Sequence, residues 1–283
     1  MTISADYHVH TEYSGDAHTT MREQILSAAG KGLDCLCITD HLDLDFPYGI
    51  YPDLDPHAFD FDIDAAYREF CLLKDEFSDR IELHFGLEAG LLPHLDSAYR
   101  KILADHPQIE YVIGSTHLCR MRRDAANEYV DPYYPPFFAE NGETDGLRLY
   151  FETALESVRA CSFFDSYGHL DYVVRYCPDK DMHYRYADYA DLIDPLLEIL
   201  IERDQALEFN TAAWRKGCLE GNPCTDILKR YREMGGTKVT VGSDAHIGRD
   251  IGSGFEKAAE LLAACGFENY YIYKNREPFR VSL

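Results

Sequence analysis

Histidine and carboxylate side chains recur along this sequence directly after short apolar runs. The series comprises His8, His10, Asp40, His41, Glu88, His117, His169, Asp244 and His246. Imidazole and carboxylate ligands without a thiolate favour Zn, Mn or Fe over a structural cysteine-type zinc site. Such ions convert water to hydroxide near neutral pH. The series therefore predicts a polynuclear metal site that hydrolyses a substrate, with a phosphoester as the expected class.

Single members of the series have ordinary explanations. His8 and His10 would face the same side of a strand, which suits a metal ion, but two half-exposed histidines would look the same. Asp40 could cap a helix beside a solvated His41. Glu88 is harder to explain in this way, because it ends an apolar run between two glycines. We expect Glu88 to bridge two metal ions.

The elements that must position these side chains alternate in type along the chain. Apolar runs predict strands near 5–9, 34–39, 81–87, 109–114, 164–168, 206–210, 238–242 and 269–273. Helical patterns lie near 21–31, 62–77, 94–104, 146–161, 187–203, 224–235 and 254–265. Thr20 and Glu23 predict a capping box for the first helix. The alternation implies a parallel α/β sheet, either closed into a barrel or open and doubly wound. In a barrel, the C-terminal strand ends would bring the scattered ligands together.

Composition limits the classes of function. At 283 residues one domain is expected, and no apolar run approaches the roughly 20 residues of a membrane-spanning helix. The N-terminus lacks the features of a signal peptide, so we expect a cytoplasmic protein without a membrane partner. A formal net charge of −23 argues against binding of duplex nucleic acid. Nine scattered cysteines, with Cys35 and Cys37 inside an apolar run, predict buried thiols rather than disulfides.

Six short motifs carry a resemblance to a known family. They are His8-Val-His10-Thr-Glu-Tyr-Ser-Gly-Asp16, Thr39-Asp40-His41, Gly86-Leu-Glu88, Ser115-Thr-His117, Gly168-His169-Leu-Asp171-Tyr and Gly242-Ser-Asp244-Ala-His246. In this order they resemble the PHP (polymerase and histidinol phosphatase) family over nearly the whole chain. The resemblance implies one phosphoesterase domain over residues 1–283. Its fold would be a distorted (β/α)7, TIM-like barrel with three divalent metal ions at the C-terminal strand ends.

The resemblance also apportions the ligands. It implies one metal held by His8, His10, Glu88 and Asp244, a second by Glu88, His117 and His169, and a third by Asp16, His41 and His246. Glu88, His117 and Asp244 would then be the catalytic residues. Asp16 and His18 remain alternatives as ligand of the third metal, because the family places either His or Asp at this position. Asp40 and Asp171 are expected to support the site from behind, with Asp40 either orienting a ligand imidazole or capping the turn that follows it.

Two arginines connect the chain with one branch of the family. The segments Gly168-His-Leu-Asp-Tyr-Val-Val-Arg175 and Glu208-Phe-Asn210-Thr-Ala-Ala-Trp-Arg215 resemble those of stand-alone histidinol-phosphate phosphatases. A planar guanidinium suits bidentate binding of phosphate, so Arg175 and Arg215 are the expected substrate contacts. The implied reaction converts L-histidinol phosphate to L-histidinol and phosphate in histidine biosynthesis, by metal-activated hydroxide. Trp214 adds bulk beside Arg215, so we expect a pocket of altered shape.

Several alternatives stay open at this level. Arg120, Arg122 and Arg123 are rival phosphate contacts. The proton donor to the leaving group could be a metal-bound water, Asp171 or His18, and the oligomeric state is undefined. The alternative functions are a PHP phosphoesterase acting on another small phosphate or nucleotide, and a non-catalytic PHP-like metal-binding module. No position of the family's ligand set is lost, which favours catalysis.

Overall fold

Seven parallel strands form the centre of the protein in a computed structural model, which describes residues 2–124 and 128–283. The strands are β1 (Ala5–Asp6), β2 (Cys35–Ile38), β4 (Glu82–Gly90), β5 (Tyr111–Ser115), β8 (Ser166–Tyr167), β9 (Ala206–Asn210) and β10 (Val239–Gly242), hydrogen-bonded in this order. The short strand β3 (His41–Leu42) lies beside the end of β4, where His41 is paired with Glu88. Two further residue pairs form the small hairpin of β6 (Cys119–Arg120) and β7 (Tyr129–Val130).

The sheet closes into a barrel between its first and last strands. Tyr7 N–H donates to the Val241 carbonyl (3.1 Å), and Asp244 N–H donates to the His8 carbonyl (2.8 Å). These bonds continue β1 alongside β10. The barrel prediction is therefore confirmed, and the open doubly wound alternative is wrong. Because the second bond involves the H-x-H motif itself, barrel closure also fixes the position of its first histidine.

Helices between the strands surround the barrel. They are α1 (Met21–Gly30), α2 (Ile63–Glu76), α3 (Asp96–Asp105), α4 (Pro136–Ala160), α5 (Ala190–Glu202), α6 (Ala212–Arg215), α7 (Thr225–Glu233) and α8 (Phe255–Ala264). The predicted capping box is present at α1, where Thr20 Oγ1 accepts from Glu23 N–H (3.2 Å) and the Glu23 carboxylate accepts from Thr20 N–H (3.0 Å). α4 begins well before the predicted start near 146, and its first part is set off by a break at Gly142. Within residues 2–124 and 128–283, no helix is long and apolar enough to cross a membrane.

The eighth predicted strand does not join the barrel, which is already closed without it. β11 (Asn269–Lys274) pairs instead with β12 (Glu277–Ser282) in an antiparallel hairpin. The hairpin covers the N-terminal end of the barrel, where Tyr7 Oη donates to the Tyr273 carbonyl (2.9 Å) and Lys274 Nζ contacts Glu82 (2.5 Å). The loops that carry the predicted ligands lie at the opposite, C-terminal end of the barrel.

Eight of the nine cysteines belong to the core, and Cys71 is half-buried. All nine are free, and Cys35 and Cys37 are buried on β2, as the apolar run predicts. Burial raises the pKa of Cys35 to about 12, so its thiol keeps its proton at neutral pH.

Candidate metal centre

All nine side chains of the predicted metal set lie together at the C-terminal end of the barrel. Six of them line a cavity of about 550 Å³, namely Asp16, His41, His117, His169, Asp244 and His246. The other three, His8, His10 and Glu88, contact members of this set and have no exposed surface. The strand ends thus place side chains from distant parts of the sequence in one site.

Glycines at the strand ends make this crowding possible. A Cβ atom at Gly242 would lie 2.2 Å from His8 Cβ, and one at Gly168 would lie 2.2 Å from Ser115 Oγ. Any side chain at these two positions would therefore displace the neighbouring strand end. The repeated pattern of a glycine followed by a ligand-type residue reflects the close approach of adjacent strands.

Glu88 lies at the centre of the set, with its two carboxylate oxygens facing different histidines. Oε1 lies 3.0 Å from His117 Nε2 and 2.9 Å from His169 Nε2. Oε2 lies 3.1 Å from His8 Nε2 and 2.9 Å from His41 Nδ1. A carboxylate that presents one oxygen to each of two pairs of histidines has the arrangement of a ligand that bridges two metal ions.

Asp244 extends the ligand set on the Oε2 side of Glu88. His10 Nε2 lies 3.5 Å from both Glu88 Oε2 and Asp244 Oδ1. Asp244 adopts the left-handed backbone conformation (φ 54°), which is costly for a residue other than glycine. Such strain is found preferentially at functional sites, where the surrounding structure holds it in place.

Asp16, rather than His18, faces the site. Asp16 Oδ2 lies 3.1 Å from His246 Nε2 and 3.8 Å from His41 Nε2. His18 is exposed and does not line the cavity formed by the described residues. The geometry therefore favours Asp16 as the aspartate of the third ligand group, and it removes His18 from the candidate proton donors.

Several buried polar atoms at the centre lie close to one another but make no hydrogen bond of normal geometry within residues 2–124 and 128–283. They are His8 Nε2, His10 Nε2, His41 Nδ1 and Glu88 Oε2. Buried polar groups in proteins are nearly always satisfied, so converging unsatisfied atoms require an explanation. All four are good ligand atoms for a divalent cation. Ligand atoms of His8, His10 and the nearby Asp244 lie within 4.8 Å of one another. The residues present fit a metal cluster.

The ionisation of Glu88 and His10 agrees with this fit. Burial raises the pKa of Glu88, but the surrounding histidines, foremost His8, hold it well below its usual range. Burial lowers the pKa of His10 well below its usual range, and the neighbouring His41 lowers it further. Glu88 is therefore ionised and His10 neutral, which are the states that bind metal ions. His8 differs, since Glu208 and Glu88 outweigh burial and raise its pKa, so a bound cation must displace a proton there.

Two carboxylates behind the histidines hold the rings in place. His8 Nδ1 lies 2.5 Å from Glu208 Oε1, and His117 Nδ1 lies 2.9 Å from Asp43 Oδ1. Metal-binding histidines commonly make such a bond through the nitrogen that faces away from the ion. Neither carboxylate is assigned to this role by the sequence motifs. The position of Glu208 inside the apolar strand β9 could have indicated this role. For Asp43 the sequence offers no indication beyond its position two residues after His41.

Asp40 supports a ligand histidine through an intervening serine. Its carboxylate accepts hydrogen bonds from Thr11 N–H (2.6 Å) and Ser14 Oγ (2.7 Å), and Ser14 Oγ lies 3.3 Å from His10 Nδ1. Asp40 thus orients a ligand imidazole indirectly and fixes the turn after β1. It does not cap the turn that follows Asp40 itself.

Arg175 lies in the wall of the cavity, in a 3₁₀ helix after β8. Its guanidinium donates to Asn222 Oδ1 (2.7 Å), Asp244 Oδ2 (2.9 Å) and Asn210 Oδ1 (2.9 Å). The side chain is almost completely buried, and its plane is fixed by these three bonds.

Arg215 ends α6 and also lines the cavity. Its Nη2 donates to the Ser243 carbonyl (2.6 Å), while Nη1 is buried without a partner in the described part of the chain. The three rival arginines after His117 are engaged in ion pairs, Arg120 with Glu156, Arg122 with Glu128 and Arg123 with Glu152, and do not line this cavity.

Two expectations about the surroundings of the arginines are corrected by the structure. Asp171 is fully buried, and its carboxylate accepts from Asn222 Nδ2 (2.6 Å) and Cys224 N–H (2.9 Å). It therefore orients the asparagine that binds Arg175 and is not placed to donate a proton in the cavity. Trp214 does not line the cavity and packs against Phe209, with ring centroids 5.7 Å apart, so it does not reshape the pocket directly.

Comparison with known proteins identifies the family. The family model described as the PHP domain matches residues 6–212. The chain belongs to the PHP domain family. A probable histidinol-phosphatase of Clostridium acetobutylicum is 30% identical over 95% of this chain and 96% of that protein. The histidinol-phosphatase of Lactococcus lactis subsp. lactis is 29% identical over 93% of this chain and 91% of that protein.

A solved PHP structure agrees with the observed fold. The crystal structure of histidinol phosphate phosphatase from Lactococcus lactis, in complex with zinc, L-histidinol and phosphate, has a TM-score of 0.85 and 27% identity to this chain. The match covers 98% of this chain and 99% of that structure. The TIM-like barrel prediction is confirmed, and the chain is a phosphatase of the metal-dependent phosphoric monoester hydrolase class.

Proposed function

We propose that this protein hydrolyses L-histidinol phosphate to L-histidinol and phosphate as a step of histidine biosynthesis. The observation that carries the proposal is the position of Arg175 and Arg215 beside Asp244, at the edge of a ligand set centred on Glu88. Guanidinium groups next to such a set suit a phosphate monoester, whose negative charges must be neutralised on binding. The relatives named for histidinol phosphate support the choice of the alcohol.

The ligand set supports a cluster of three divalent ions. His8, His10, Glu88 and Asp244 would hold the first, Glu88, His117 and His169 the second, and Asp16, His41 and His246 the third. The unsatisfied nitrogen and oxygen atoms at the centre support this assignment. The zinc in the L. lactis structure supports zinc as the ion. When bound, such ions supply an activated water and stabilise charge on the phosphoryl oxygens.

The chain's own groups bind and orient the phosphate. Arg215 Nη1 is an unused buried donor. Arg175 commits three of its five N–H groups to protein oxygens, which leaves two for the substrate. Because these bonds already fix the guanidinium, little side-chain freedom is lost when phosphate binds. Glu88, His117 and Asp244 are assigned as catalytic, since they would hold the ions next to the phosphate.

We also propose that the functional domain extends over residues 1–283. The PHP domain match ends at residue 212, yet Asp244 and His246 lie beyond it and line the same cavity. The barrel, moreover, is closed by β10.

The test is steady-state phosphate release by the zinc- or manganese-loaded protein. The substrates are L-histidinol phosphate, glycerol phosphate, adenosine monophosphate and phosphoethanolamine. We expect kcat/KM for L-histidinol phosphate to exceed that for each other ester by about 10-fold or more, because a fitted site rejects esters that leave its polar groups unpaired. A nucleotide or sugar phosphate as the best substrate would favour the alternative PHP phosphoesterase function.

A histidine variant separates catalysis from passive metal binding. His117→Ala is expected to lower kcat/KM by more than about 100-fold, beyond the loss typical of a residue that only supports a ligand. His57→Ala, at an exposed loop histidine, is the matched control and should keep full activity. Full metal occupancy of the unaltered protein without turnover of any ester would favour the non-catalytic module.

A further inference from the structure

One wall of the catalytic cavity is formed by the loop after β7, which contains Asp131. The backbone N–H of Asp131 donates to Tyr51 Oη (3.0 Å), and Asp131 Oδ1 accepts from Tyr133 N–H (2.8 Å). These two bonds hold the carboxylate in position, because the first anchors the backbone and the second fixes one oxygen. The other oxygen, Oδ2, makes no hydrogen bond to the described residues.

Asp131 differs from the other carboxylates of this cavity in lacking a cation. Asp16, Asp43 and Asp244 each lie within ion-pair distance of a histidine of the metal set, and Asp250 pairs with Arg215. Asp131 makes no ion pair within residues 2–124 and 128–283. Burial raises its pKa to about 6, so it is still ionised in neutral solution. An ionised, largely enclosed carboxylate without a partner is unfavourable unless a ligand supplies the positive charge.

The surroundings of Asp131 are aromatic. Tyr172 and Tyr176 line the same cavity and are joined by a hydrogen bond between their hydroxyl groups (2.8 Å). Asp131 lines the same cavity as these two rings, and burial, followed by the charge of Asp131, raises the pKa of Tyr172 well above its usual range. Aromatic faces attract cations, and a neighbouring carboxylate adds to that attraction. Arg175 already lies over the Tyr172 ring (5.2 Å), so it is the unpaired carboxylate that suits this wall to a further positively charged organic group.

Arg175 and Arg215 donate to Asp244 and to the Ser243 carbonyl, and neither arginine makes an ion pair with Asp131. A substrate that spans the cavity would meet arginines at one point and an unpaired carboxylate at another. An alcohol phosphate that also carries an amine matches both charges. The amine of L-histidinol phosphate is a stronger candidate than its imidazole, because a primary ammonium is fully charged at neutral pH, whereas most of the imidazole is not.

We infer that Asp131 binds the ammonium group of the amino-alcohol phosphate and thereby determines substrate specificity. This inference rests on the proposed function for the identity of the substrate. It assigns Asp131 no part in the chemistry at phosphorus. Its loss should therefore weaken the binding of aminated esters and leave hydrolysis of uncharged alcohol esters intact.

The test compares Asp131→Asn with the unaltered enzyme on three substrates. These are L-histidinol phosphate, L-phenylalaninol phosphate, which keeps the amine without the imidazole, and 3-phenylpropyl phosphate, which lacks both. Asparagine keeps an oxygen that can accept from Tyr133 N–H, so the loop conformation should be preserved. For the two aminated esters, kcat/KM should fall by about 10- to 100-fold, mainly through KM, as expected for a lost hydrogen bond between charged groups. For 3-phenylpropyl phosphate it should change by less than about twofold.

Asp45→Asn is the matched control. Asp45 lies in a neighbouring loop, is exposed and pairs with His94 (2.9 Å), so its loss should leave all three substrates unaffected. An equal decrease for aminated and neutral esters would overturn the inference, because it would indicate a general disturbance of the site. A decrease confined to L-histidinol phosphate would also overturn it, since the imidazole would then be the partner. An unaltered enzyme inactive on L-histidinol phosphate would contradict the proposed function, and the other two esters would then decide the role of Asp131.

Discussion

Strand β4 carries a glutamate close to at least one histidine at each of its ends. Glu88 lies near its C-terminal end among the histidines of the candidate metal centre, whereas Glu82 and His84 lie at its start, close to Cys35. The ligand-type atoms of Cys35, Glu82 and His84 also lie within 4.8 Å of one another. Residue type and proximity therefore do not distinguish the two ends.

The partners of these side chains do distinguish them. At the start of β4, His84 Nδ1 lies 2.7 Å from Glu110 Oε2, and His84 Nε2 lies 3.2 Å from Glu82 Oε1. Lys274 then pairs with Glu82 (2.5 Å) and Lys74 with Glu110 (3.3 Å). Each imidazole nitrogen has a carboxylate and each carboxylate has a lysine, so this network needs no further cation.

At the other end, no lysine or arginine of residues 2–124 and 128–283 contacts Glu88. Its carboxylate meets histidines and the hydroxyl of Ser115 (2.7 Å), and several of the facing atoms make no hydrogen bond. The candidate metal end of β4 is thus distinguished by a central carboxylate, Glu88, that has no fixed lysine or arginine, and by facing imidazole nitrogens that make no hydrogen bond.

The largest effect is expected from Glu88→Gln. The amide removes the negative charge and one of the two acceptor oxygens shared by the ligand groups, so metal content should fall and kcat/KM should decrease by more than about 100-fold. Metal analysis and phosphate release measure the two quantities. The same change at the other end of the strand, Glu82→Gln, should leave both nearly unchanged. A similar loss of metal in both variants would contradict the distinction between the ends.

A smaller effect is expected from changes at the carboxylates that support the histidines. At each end of β4, one such carboxylate is bonded to a histidine Nδ1. Asp43 holds His117 (2.9 Å) and Glu110 holds His84 (2.7 Å). Asp43→Asn should lower metal affinity or kcat/KM by about 10- to 100-fold. Glu110→Gln should leave activity intact and reduce the free energy of unfolding by about 1 kcal/mol, measured by denaturant titration. Unchanged activity in Asp43→Asn would show that the position of the His117 ring does not depend on this bond.

The barrel and the ligand positions were predictable because both follow from the order of elements. A ligand-type residue after an apolar run is visible in the sequence, and parallel strands of a barrel must bring such residues to one end. Asp16 could not be separated from His18 in this way, since both lie in the same loop. Only the observed contact of Asp16 with His246 (3.1 Å) distinguishes them.

The remaining features depend on tertiary contacts that a local pattern does not contain. The strand at 269–273 has the composition of a barrel strand, but the contact between β1 and β10 leaves no place for it in the barrel. Trp214 was expected to alter the shape of the pocket because of its position next to Arg215. Its ring instead packs against Phe209, away from the cavity, a direction that spacing along the chain does not define.

The smallest effect is expected from Cys35→Ser, which tests whether the start of β4 binds a metal at all. Burial raises the pKa of Cys35 to about 12, so the thiol is protonated and is not a ready ligand. The variant should keep its metal content and activity, and its free energy of unfolding should fall by about 1 to 3 kcal/mol, because a polar hydroxyl replaces a buried thiol. The cobalt-substituted protein should show no thiolate absorption near the ultraviolet. A thiolate band that disappears in Cys35→Ser would mean that the lysines do not exclude a cation, and unpartnered imidazole nitrogens would then no longer separate the two ends.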